Sequence, residues 1–113
     1  MSERIDLNEI SYLIHRNALD KGFWSEKSGE DQVNQILAKM MLIDSEVSEL
    51  MESYRKEHGS QMILEEAADV LVRLLDLLKA MEDYGVVEGD FTQVFLDKVK
   101  FNTTRPAKHG NLM

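Results

Sequence analysis

EEAADVLVRLLDLL, residues 65–78, decides the fold. From Ala67 to Leu78 only Asp69, Arg73 and Asp76 are ionisable, and every other residue is Ala, Val or Leu. On a helical wheel Leu64, Ala67, Ala68, Leu71, Leu74, Leu75 and Leu78 make a core face, which Val70, Val72 and Leu77 widen. Glu66, Asp69, Arg73 and Asp76 follow one another at steps of three, four and three. At ~100° per residue they share a strip of about a quarter of the circumference. The stretch reads as a mostly apolar rod with one charged edge.

Outward from this rod the chain divides into four helical segments. The third spans about 62–84 and is closed by Gly85. The second spans about 32–55, with "EHGSQ" after it and Gly59 as its stop. Val33, Ile36, Met40, Ile43, Val47, Leu50 and Tyr54 form its apolar face, and Glu46 and Glu49 lie off that face on a stripe with Leu42. The first runs from about Leu7 to Lys21 and ends at Gly22; Phe23 and Trp24 follow in a loop, and "SEKSGEDQ" is a polar connection. The fourth runs from about Asp90, a suitable N-cap, to Asn102, and an irregular tail follows from about residue 103. The expected fold class is all-α, an antiparallel bundle of about four helices within a single domain, 1–113.

Composition narrows the function. The formal net charge of -8 and the lack of a basic stripe before the C-terminus argue against a nucleic-acid partner. Without cysteine there are no disulfides, thiolate ligands or cysteine nucleophiles. No signal-peptide pattern or membrane-length apolar run occurs, so no membrane partner and a cytoplasmic location are expected.

Glu66 and Asp69, and likewise Glu46 and Glu49, set two carboxylates on adjacent turns with Cβ atoms about 5–6 Å apart. Two such pairs facing each other across antiparallel helices make a hard-oxygen cage suited to Mg²⁺ or Mn²⁺. Spacing alone leaves a solvated acidic face equally open, because acidic pairs at i,i+3 also occur at 3/6, 6/9 and 49/52. Arg73 has two readings, a surface ion pair with Asp76 or partial neutralisation of the acidic cluster. No histidine has a Glu three residues before it, as a di-iron bundle requires, and there is no phosphate-binding Gly loop or nucleophile elbow.

Three ordered stretches, "SEVSELMESYR" (45–55), "EEAADVLVRLLDL" (65–77) and "KVKFNTTRPAKHG" (98–110), resemble the MazG-like branch of the all-α nucleoside triphosphate pyrophosphohydrolases. "IHRNALDKGFW" (14–24) is similar to the opening of small phage-type and bacterial members. The pattern of that superfamily is Glu-Glu-x-x-Glu, a spacer, then Glu-x-x-Asp. Glu46, Glu49, Glu66 and Asp69 match it, while Ser45 stands where the first acid would be.

The resemblance implies a helical bundle completed as a homodimer or homotetramer, with sites where subunits meet. It implies hydrolysis of a (d)NTP substrate to the monophosphate and pyrophosphate, with Mg²⁺, or Mn²⁺ as substitute, held by those four acids. It places Lys98 and Asn102 in the substrate pocket, with Arg105 and Lys108 reaching the β and γ phosphates. Trp24 is either an exposed indole that stacks on a base or a core or interface aromatic; His15 and Asn17 line the same pocket, and Asp76 hydrogen-bonds ligand. His58 and His109 are expected to be exposed. A (p)ppGpp-directed hydrolase and a non-enzymatic acidic helical module that binds a basic partner are the competing readings.

Overall fold

A computed structural model describes residues 5–106, and among them the secondary structure is entirely helical. The four helices are α1 (Leu7–Asp20), α2 (Gly29–Arg55), α3 (Ser60–Asp83) and α4 (Phe91–Thr104). No helix among the described residues is long and apolar enough to cross a membrane.

The helix boundaries follow local chemistry that periodicity does not register. α2 begins at Gly29, not near residue 32, so Glu30 and Asp31 fall in its first turn, where the helix dipole favours acids. Its end is not made by Gly59. Glu57 takes the left-handed conformation (φ 55°), the His58 N–H donates to the Ser53 carbonyl at 3.0 Å, and Gly59 instead precedes α3. α4 continues to Thr104, two residues past the expected Asn102, and Pro106 lies just beyond its C-cap Arg105.

α2 and α3 pack together along much of their length. Ile36 clusters with Leu77 and Ala80, while Glu46, ten residues on, meets Glu66 and Asp69, so the two helices run antiparallel. α1 packs against α3: its Ser11 hydroxyl donates to the Leu75 carbonyl, and Ala18 enters the cluster of Trp24, Ile36, Leu77 and Ala80. Among the described residues the α4 backbone packs against α1 and not against α2 or α3, and none of the α4 residues is fully buried.

The α1–α4 contact is a reciprocal cap. Asp6 caps α1 and Asp90 caps α4. The Thr92 hydroxyl accepts from the Leu7 N–H (2.8 Å) and donates to Asp6 (3.0 Å), while the Asn8 side chain donates to Asp90 (2.6 Å) and accepts from the Phe91 N–H (3.1 Å). Each helix start therefore helps satisfy the free N–H groups of the other.

The faces of α2 and α3 match the apolar wheel only in part: Ile36, Ile43 and Leu50 on α2 and Leu74, Leu75 and Leu78 on α3 are shielded as expected. Gln32 and Gln35 are partly shielded near the start of α2, and from Ile36 on the shielded residues are Ile36, Lys39, Ile43, Glu46, Leu50 and Ser53, at alternating steps of three and four. Glu46 thus lies in the seam between the helices rather than off the packed face. Val33, Met40, Val47 and Tyr54 are exposed, as are Leu64 (65%) and Leu71 (50%) on α3. Part of each expected apolar stripe thus points outward, and a mixed stripe forms the contact.

Candidate metal and phosphate site

The seam brings the predicted acids together. Glu46, Glu66 and Asp69 each offer a carboxylate oxygen within 4.8 Å of the other two. Glu46 and Glu66 are half-buried by the seam and Asp69 is exposed. Glu49 is exposed on the next turn and lines the same cleft, of about 300 Å³, with Glu46, Asp69, Asn17, Arg73 and Asp76. An octahedral Mg²⁺ with oxygens about 2.1 Å away sets those oxygens about 3–4.2 Å apart. The three acids would need to close only slightly, and the donor set is all hard oxygen, so these residues fit such an ion.

The electrostatics register the crowding. Desolvation raises the Glu66 pKa above the ordinary glutamate value, and the charges of Glu49 and Asp69, a hydrogen bond with Asp69 and the charge of Glu46 add to the rise. The nearby cation is Arg73, whose Nε lies 3.4 Å from Glu46 Oε1. Of its two expected readings, neutralisation of the cluster is the one seen.

Beside the acids a second polar group lies inside the fold. Asp76 accepts from the Trp24 indole N–H at 2.9 Å and is 2.7 Å from His15 Nδ1. Trp24 is 6% exposed and His15 5%. Of the two readings of Trp24, the core aromatic is the one seen and the exposed, base-stacking indole is not: the indole packs edge-on against His15 and Tyr84, and Asp76 satisfies its N–H in the interior. Both oxygens of Asp76 already meet protein groups, so it fastens α3 to α1 and the loop while edging the cleft. Asn17 is exposed at the cleft, and His58 is exposed as expected.

Lys39 did not stand out in the sequence as a site residue. Its ammonium lies 4.6 Å from the Trp24 ring centroid and donates to the Phe23 carbonyl at 2.5 Å. Burial lowers its pKa, Asp76 offsets this and Arg73 adds to it. Gln35 accepts from the Ser25 N–H and donates to the Ser25 carbonyl, so two α2 side chains pin the loop that carries Trp24. The available signal was register: Lys39 and Glu46 are seven residues apart, two turns along one face.

Among the described residues the expected phosphate contacts do not line the acidic cleft. The α4 backbone packs against neither α2 nor α3, and Lys98, Asn102 and Arg105 are not among the residues lining the cleft of Glu46, Glu49 and Asp69. Lys98 lies over the Phe101 ring, and Asn102 Oδ1 is buried without a hydrogen-bond partner among the described residues. Lys108 and His109 lie outside the described residues.

Comparison with protein families, with curated proteins and with solved structures returns no match.

Proposed function

We propose that the chain is a Mg²⁺-dependent nucleoside triphosphate pyrophosphohydrolase that cleaves (d)NTPs between the α and β phosphates. The observation that carries this reading is the convergence of Glu46, Glu66 and Asp69 from two helices on one small volume. Like charges converge at a cost, and the Ile and Leu side chains beside them in the seam have no packing need for three carboxylates. The motif resemblance gives the reaction class.

When bound, a divalent cation supplies positive charge to phosphate oxygens and acidifies water. Glu46, Glu66 and Asp69 hold it, Glu49 completes the acidic cleft, and Glu46 takes the proton of the attacking water. Lys98, Asn102 and Arg105 bind the phosphates from the α4 of a second copy, because their own α4 lies away from the acids. The exposed apolar stripe of α2 and α3, with Leu64 and Leu71 on it, is the surface on which that copy packs.

The test is pyrophosphate release from a panel of (d)NTPs with Mg²⁺ or Mn²⁺, for wild type and for Glu49→Gln and Asp69→Asn. Hydrolysis should depend on the cation and fall by at least ~100-fold in Asp69→Asn, more than losses of outer-shell metal partners usually cause. Full activity in both variants would overturn the ligand assignment. No hydrolysis of any nucleotide by wild type would favour a binding module.

A further inference from the structure

Arg73 is the one cationic side chain among the residues lining the acidic cleft. It reaches across the seam from α3 to α2, and its Nε is 3.4 Å from Glu46 Oε1. The partners are unequally exposed: the Glu46 side chain is 12% exposed, the Arg73 side chain 45%. Glu46 is fixed in the interhelical contact, and the guanidinium reaches it from the solvent side. Glu46 is also one of the three carboxylates that fit a divalent ion. One group is thus offered to two cations.

Resting on the metal reading above, we propose that Arg73 is a built-in counterion exchanged during loading: it holds Glu46 in the metal-free protein, yields that oxygen to the divalent cation, and then turns to the polyphosphate in the same cleft.

Three physical points support the exchange. The Arg73–Glu46 pair is partly open to water, where ion pairs are weak enough to be broken by a divalent competitor. Asp76, one turn on along the same helix, has both oxygens engaged by His15 and Trp24, and Asp69, a turn back, is itself one of the three acids that fit the ion, so neither is a ready resting place for a released guanidinium. The planar fork of Arg matches phosphate oxygens, and a triphosphate brings negative charge into the same space. The pair thereby couples the two loading steps: without cation Arg73 neutralises part of the cluster, and with cation it becomes available for the anion.

The signature is a change of opposite sign at the two ligands, which a purely structural ion pair would not produce. Mn²⁺ binding is measured by electron paramagnetic resonance on the full chain, and tripolyphosphate binding by calorimetry at saturating Mn²⁺, for wild type, Arg73→Gln and Arg73→Lys. Arg73→Gln should bind Mn²⁺ about fivefold more tightly, the scale of one partly exposed ion pair, and tripolyphosphate roughly tenfold more weakly, the scale of one charge-assisted contact. Arg73→Lys keeps the charge and should fall between wild type and Arg73→Gln in both. Circular dichroism confirms that each variant is folded, as expected for a side chain nearly half exposed. Unchanged or weaker Mn²⁺ binding in Arg73→Gln, or unchanged tripolyphosphate binding, overturns the exchange while leaving the metal site standing. A wild type that binds no Mn²⁺ removes both.

Discussion

His15 Nδ1 stands 2.7 Å from Asp76 Oδ1, joining α1 to α3 through two side chains that are largely shielded from water. An ionised carboxylate only accepts, so this contact sets the proton of His15 on Nδ1. The other Asp76 oxygen receives the Trp24 N–H. Asp76→Ala strands two interior donors and should destabilise the chain by about 2–4 kcal/mol. Asp76→Asn keeps one acceptor and should lose about half as much. Urea denaturation followed by Trp24 fluorescence measures both.

Glu66 has a pKa raised by desolvation and by its acidic neighbours. For a carboxyl whose folded pKa exceeds its unfolded value, the proton stabilises the fold below the unfolded pKa, and that contribution is lost as pH rises through the folded value. The metal-free protein should therefore lose stability relative to Glu66→Gln as pH climbs from the ordinary glutamate range through the raised value. Added Mg²⁺ should raise the wild-type melting temperature most on the high-pH side of that window and have much less effect on Glu66→Gln. Parallel melting curves across pH for the two proteins would show the reading to be wrong.

Glu57 ends α2 with φ 55°, a conformation that puts a Cβ close to the backbone. Glu57→Gly should stabilise the chain by about 1 kcal/mol, read as a higher denaturation midpoint with an unchanged slope.

Leu71 is half exposed on the outward stripe of α3. If a second copy packs there, Leu71→Glu should shift the sedimentation coefficient to that of a monomer while helical content is retained. Hydrolysis should fall with it, because α4 from the second copy would no longer reach the acids. An unchanged sedimentation coefficient would place the contact elsewhere.

Helices were legible in the sequence because long apolar periods and breakers such as Gly22 and Gly85 mark them clearly. Their packing was not. A wheel ranks faces by apolar content, and it put Val33, Met40 and Val47 inward. The folded chain keeps Ile36 and Ile43 of that face inward but joins them with Lys39 and Glu46 in place of Val33, Met40 and Val47. A wheel cannot tell the face that meets a neighbour in the same chain from one left to another surface, since both are apolar. The three converging acids were found through their paired spacing, whereas Glu49 lies a turn away from the trio. The polar group around Asp76 was missed because its members come from positions 15, 24 and 76, which no local period links. Trp24 stayed open between a surface and a core reading because it lies in a polar loop after Gly22; the anchors that hold that loop, Gln35 and Lys39, sit on the next helix.

The shared caps at Asp6, Asn8, Asp90 and Thr92 make the base of α4 a pivot. Beyond it α4 projects as a lever arm of ~21 Å, from 14 residues at ~1.5 Å each. A tilt of about 20° at the base would sweep the far tip through roughly 7 Å, more than the span of the acid trio. Damage at Asn8 or Thr92 would therefore shift where α4 carries Lys98 and Asn102, and under the proposed function would misplace them against phosphate.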